Sequence, residues 1–197
     1  MNLNQVILAE GKIMSKRFPT QVLAEAIMAV ALAVVLNLFG FDMPQGGRVT
    51  PGSLVPLLWF ALRYGVKLAL LPCVAFSIID VYMEPFLWYG PLQFLLDYLI
   101  PYCALGLAGF FKKQPILGVA VAIVVRFLSH FASGVIFFAQ FAPPGMDVYL
   151  YSALYNGGYL SVQFVISAFI IGILNRRGLI QRAPLQRISQ RTSKPSA

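Results

Sequence analysis

PILGVAVAIVVRFLSHFASGVIFFAQ, residues 115–140, is almost wholly apolar, yet it carries a guanidinium at Arg126 and the chain's single imidazole at His130. A helix crossing ~30 Å of hydrocarbon at ~1.5 Å per residue needs about 20 apolar residues, and this run is long enough. A charge near mid-span costs at least ~2.5–3.5 kcal/mol on the insertion scale, so such groups turn inward and mark interior partners or sites. The run reads as a membrane helix with polar business on one face.

The rest of the chain agrees. It has 197 residues, 59% hydrophobic and 11% charged, with a mean hydropathy of +0.77. Soluble domains carry about 25% charge, so a water-soluble bundle is excluded and an all-α integral membrane protein is expected. Six spans are predicted: 20–39, 53–63, 65–83, 92–111, 115–140 and 150–174. The second is short, bracketed at its start by Pro51 and Pro56 and closed by Arg63, and is expected to be kinked or partly re-entrant. The predicted organisation is an N-terminal segment over 1–19, a six-helix membrane domain over 20–175 and a basic, disordered tail over 176–197. Residues 1–18 lack the apolar core and cleavage pattern of a removable signal peptide.

Thirteen of the fifteen Lys and Arg residues fall on one side of these spans, from Lys12, Lys16 and Arg17 to the cluster beginning at Arg176. The other side has Arg48, with Asp42, Asp80, Glu84 and Asp147 assigned there. The positive-inside rule then places both termini in the cytoplasm of a multi-pass plasma-membrane protein. It also assigns the net charge of +8 to contact with anionic lipid in the bilayer, not to nucleic acid. Cys73 and Cys103 lie in spans as small hydrophobes, with no metal-type or redox spacing; neither metal nor cofactor is expected.

Away from the span ends only a few ionisable residues are expected inside: Glu25, Asp97, Arg126 and His130. With the predicted topology, Asp97 and Tyr98 in the fourth span, His130 and Gly134 in the fifth, and Tyr151, Tyr155 and Asn156 in the sixth share a depth near the outer surface. Arg126, His130, Gly134 and Phe138 recur every four residues, which makes one slanting stripe on a helix. Each residue also has a plain structural reading: Gly134 as a close helix contact, Asp97 and Arg126 as a buried ion pair, and His130 as a satisfied core histidine. Their coincidence at one depth favours a ligand pocket. A carboxylate, several aromatic faces and the Asn156 amide suit a flat, polar, cationic heteroaromatic.

At these residues the sequence resembles the thiamine-specific substrate-binding subunit (S component) of energy-coupling factor (ECF) transporters. The resemblance is strongest in FLLDYLIPYCALGLAGFF (94–111) and RFLSHFASGVIFFAQF…YSALYNGG (126–158), with further agreement in MPQGG (43–47) and LVPLLWFALRYGVK (54–67). It implies a six-helix fold that captures thiamine from outside and delivers it through a separate transmembrane coupling subunit and two ATPase subunits. It assigns substrate contacts to Asp97, Tyr98, Arg126, His130, Gly134, Phe138, Tyr151 and Asn156. The loop around Gly46 and Gly47 would close over the ligand. Asp97, Arg126 and Phe138 stand where the family more typically has Glu, Lys and Trp. A small-residue face of the first span, Ala26, Ala29 and Ala33, is expected from the resemblance to dock on the partner; ordinary internal packing is its alternative.

Other classes fit less well. No Walker A pattern is present, so ATP hydrolysis must come from elsewhere. An intramembrane enzyme using His130 and Asp97 lacks a metal motif or an adjacent nucleophile; no enzymatic activity is expected. A stand-alone secondary transporter of a cationic heteroaromatic or thiamine precursor remains the alternative, though no internal repeat supports it.

Overall fold

The computed structural model describes residues 20–83 and 89–180, the side chain of Gln45 excepted. The predicted N-terminal segment and most of the basic tail, including Lys12, Lys16, Arg17, Arg182, Arg187, Arg191 and Lys194, lie outside the described residues, as does Glu84. Six helical runs follow in order: α1 (Thr20–Leu38), α2 (Leu54–Tyr64), α3 (Val66–Met83), α4 (Pro91–Phe110), α5 (Pro115–Phe137) and α6 (Val148–Arg176). Five are long and apolar enough to cross a membrane; α2 is shorter. Between α1 and α2 lies a small antiparallel hairpin of β1 (Phe41–Asp42) and β2 (Arg48–Val49), joined through a 3-10 turn over Pro44–Gly46. The all-helical expectation holds apart from this hairpin.

Local chemistry explains the boundaries. Gly65 ends α2 with φ +91, and its N–H bonds the Ala61 carbonyl at 2.7 Å, a conformation that glycine adopts without a Cβ penalty. Pro115 opens α5, where its missing N–H is not needed. Asp147 caps α6, its Oδ1 accepting from the Leu150 N–H at 3.0 Å.

The predicted second span is the centre of the bundle. Nine of its eleven residues are buried, so α2 is hydrophobic all round and packs against α1, α3, α4 and α6. At ~1.5 Å per residue it is about 16 Å long, too short to cross alone. Its C-terminal end is stapled by charge. Arg63 pairs with Glu25 at 3.0 Å, lies over Trp59 at 5.2 Å and donates to the Leu179 carbonyl at 3.3 Å. Lys112 donates to the Arg63 carbonyl. Glu25 is therefore an anchor at this basic end.

One expectation is corrected here. Ala26, Ala29 and Ala33 are 4%, 4% and 0% exposed and form the inner face of α1 together with Val22 and Asn37. Small side chains let α1 approach α2 and α3 closely; none is available to an outside helix. The outer face is instead Leu23, Ile27, Met28, Leu32 and Val35. Ala33→Leu should therefore overpack the bundle and cost about 1–3 kcal/mol, whereas Ile27→Ala should leave stability nearly unchanged. Thermal unfolding of both variants in one detergent checks the contrast; equal stability for the two would show that the inner face is not tight.

Candidate functional site

The end of the bundle opposite the Arg63 staple holds a cavity of about 450 Å³, within the range of small-molecule sites. Every long helix contributes to its wall, and the β1–β2 hairpin lies across it.

Asp97 and Tyr98 come from an unusual turn. Within α4, Leu95–Leu99 is wound as a π-turn, with the Ile100 N–H bonding back to the Leu95 carbonyl. Pro101 supplies the reason. It has no N–H for the carbonyl four residues back, that of Asp97, and its ring crowds that oxygen. The wide turn relieves the crowding and sets Asp97 and Tyr98 on the cavity wall, a frequent use of π-bulges.

On α5, Arg126, His130 and Gly134 line the cavity as their spacing predicts. The helix then ends at Phe137, and Phe138 leaves it with φ −115 and ψ 10. Phe138 still reaches the cavity, but as a residue of the following turn, buttressed edge-on by Tyr89 with centroids 5.5 Å apart. Gly134 serves close helix contact and cavity wall together: a Cβ there would collide with the Ser152 hydroxyl of α6.

Tyr151, Tyr155 and Asn156 of α6 also line the cavity. Tyr151, Tyr155, Tyr159 and His130 form a continuous aromatic wall, with successive centroids 6.0–6.1 Å apart. The donor side of Asn156 is used for bracing. Its amide nitrogen bonds the Ser152 carbonyl at 2.9 Å and the His130 carbonyl at 3.3 Å, which leaves its oxygen for other contacts.

The hairpin is held down by the same helix. Tyr155 donates its hydroxyl to the Pro44 carbonyl and accepts from the Gly47 N–H at 2.9 Å. Gln163 donates to the Arg48 carbonyl at 2.7 Å. Gly46 has φ +90 and Gly47 has no room for a Cβ against Tyr155, so both glycines are required by the turn that covers the cavity.

The charges do not form the plain structural ion pair that was the alternative to a pocket. Asp97 does not meet Arg126; its Oδ1 lies 3.4 Å from His130 Nδ1. Arg126, 5% exposed, lies over the Tyr102 ring at 4.3 Å. Its Nε and Nη1 and the Nε2 of His130 are buried and make no hydrogen bond to any described residue. At the mouth, Arg48 pairs with Asp42 at 3.3 Å.

A further carboxylate enters from α3. Asp80, assigned from sequence to the outer side of the membrane domain, is 1% exposed and lines the cavity. Asn37 Nδ2 donates to its Oδ1 at 2.7 Å and the Tyr102 hydroxyl to its Oδ2 at 2.5 Å. The signal was present in the sequence. Ala69, Cys73, Phe76, Ser77 and Asp80 are buried at helical spacing on one stripe of α3, and Asn37 ends the buried stripe of α1.

A family model described as thiamine transporter protein matches residues 23–181. The chain belongs to that family. The thiamine transporter ThiT of Bacillus subtilis (strain 168) is 30% identical over 171 residues, covering 77% of this chain and 88% of the relative. ThiT of Lacticaseibacillus paracasei is 24% identical over 172 residues, covering 78% and 86%. The solved structure of ThiT from Listeria monocytogenes has the same fold, with a TM-score of 0.72 at 21% identity over 80% of this chain and 94% of that one. Membership makes this a multi-pass membrane protein of a transporter family, and its relatives carry no enzyme name.

All eight substrate-contact positions expected from sequence thus border one cavity, together with Gly46 and Gly47. Because Gly134 and Ser152 compete for the same space, Gly134→Ala should lower the melting temperature through a strain of about 1–3 kcal/mol. Adding Ser152→Gly should restore part of it. An unshifted melting point in the single variant would mean that α5 and α6 are less tightly apposed than described.

Proposed function

We propose that the chain is the substrate-capture subunit of an ATP-driven vitamin importer. It takes thiamine from the extracellular side and passes it inward through a separate ECF module of one transmembrane coupling subunit and two ATPases. Both termini face the cytoplasm, so the hairpin end opens outward and the Arg63 staple lies at the inner surface. The concentration of Arg63, Lys112, Arg176 and Arg177 at one end supports this orientation.

The observation that carries the reading is the cavity's charge pattern. Among the described residues, three carboxylates line it. Asp42 is answered by Arg48, and Asp80 faces Arg126 across Tyr102. Among the described residues, Asp97 is paired with an imidazole alone, which is charged only when protonated. A cation beside Asp97 would complete the pattern, while an anion would meet two further carboxylates. The family name carried by the ThiT relatives supplies a cation of the right shape, since thiamine joins a positively charged ring to a flat pyrimidine. The tyrosine wall offers faces for stacking, and His130 Nε2 offers a buried contact for a ring nitrogen. Substrate contacts are thereby assigned to Asp97, Tyr98, Arg126, His130, Gly134, Phe138, Tyr151 and Asn156, and closure to the hairpin around Gly46–Gly47.

Calorimetry on the purified full chain tests the reading. Wild type should bind thiamine, and Asp97→Asn should weaken it by about tenfold or more, in line with loss of a charge-assisted contact. A neutral-ring isostere of thiamine should be affected much less. Equal losses for the two ligands would make the carboxylate a structural group and remove the main support for a cationic substrate.

A further inference from the structure

Resting on the thiamine reading, we propose that Asp80 is a specificity-determining residue: by offsetting Arg126 through Tyr102, it makes that end of the cavity accept an uncharged alcohol and reject its phosphate ester.

Arg126 sits one helical turn from His130, about 6 Å further along α5 and away from its C-terminal, hairpin end. Its guanidinium has only donors, and two of its nitrogens, Nε and Nη1, are buried at the cavity without a hydrogen bond to any described residue. Left alone, such a group is a phosphate site, because a guanidinium fork binds phosphate oxygens in pairs and strongly. It is not left alone. Tyr102 lies with its ring against the guanidinium and gives its hydroxyl to Asp80 Oδ2 at 2.5 Å. Asn37 holds the other carboxylate oxygen at 2.7 Å. Asp80 thus sits fixed at the cavity wall, within electrostatic reach of both Arg126 and Arg48.

The consequence is a donor site with little net charge. A hydroxyl oxygen can accept from Arg126 Nε or Nη1 without approaching Asp80 closely. A phosphate brings its own negative charge into a buried region that already holds a carboxylate, where like charges repel far more than in water. Asp97 fixes the cationic ring, and the Asp80–Tyr102–Arg126 chain reads the alcohol arm carried on that ring.

Asp80→Asn tests this with little change of shape, since the amide oxygen still accepts from Asn37 and the amide nitrogen can donate to the Tyr102 oxygen. Thiamine and thiamine monophosphate are titrated by calorimetry into the full chain. Wild type should prefer thiamine. In Asp80→Asn the thiamine-to-monophosphate affinity ratio should fall by about tenfold or more, as expected for removing one buried like charge. The ratio of the two affinities, not the affinity for thiamine alone, is the readout. Tyr102→Phe, which removes the hydroxyl link and little volume, should shift the ratio in the same direction by less, and it decides the matter if Asp80→Asn does not fold. Parallel losses for both ligands, or an unchanged ratio, would overturn the inference while leaving thiamine capture intact. Failure of wild type to bind thiamine would overturn the functional reading and this inference with it.

Discussion

A charge placed at membrane depth has to be answered from within the protein, and that constraint organises this molecule. Water is absent, lipid offers no partner, and an unanswered carboxylate or guanidinium costs several kcal/mol. The chain gathers its intramembrane charges into two places. One is the Glu25–Arg63 staple at the basic end. The other is the cavity, where Asp80, Asp97, Arg126 and His130 converge from three helices. Between them stands α2, apolar on every side and with no ionisable group before Arg63. All five longer helices line the polar cavity, which α2 meets only at its N-cap residue Ser53.

Close packing and site geometry are the same feature seen twice. Gly134 lets α5 meet the Ser152 side of α6, and that approach brings His130 beside Tyr159 and within reach of Asn156. The inner alanines of α1 bring Asn37 against Asp80. The hairpin follows directly from α1, so the residue that steadies Asp80 is also close to the root of the cover. Tyr155 ties that cover to α6 through Pro44 and Gly47. Gln163 adds a third bond to the Arg48 carbonyl, so lifting the hairpin would break three hydrogen bonds worth about 0.5–1.5 kcal/mol each.

The helices were legible because hydropathy is a strong signal over twenty residues; predicted and observed ends agree within about three residues. The i, i+4 stripe on α5 correctly gathered Arg126, His130 and Gly134 on the cavity side. Two things were not legible, and a third was legible but misassigned. Which cation meets which carboxylate depends on helix rotation, and the π-turn forced by Pro101 changes the rotation of Asp97 by a step that ideal spacing omits. The direction of the Ala26–Ala29–Ala33 face is ambiguous by composition, since small residues serve internal and external contacts alike. Asp80 was assigned by its nearness to a span end, whereas its stripe with Phe76 and Cys73 points inward.

The most direct measurement is a structure of the full chain with thiamine bound. The account predicts the positively charged ring beneath the β1–β2 hairpin, within about 6 Å of the Asp97 carboxylate and against the tyrosine wall of α6. Thiamine found outside this cavity, or lying in it with the charged ring turned from Asp97 toward Arg126, would contradict the claim that the unmatched carboxylate selects the cation.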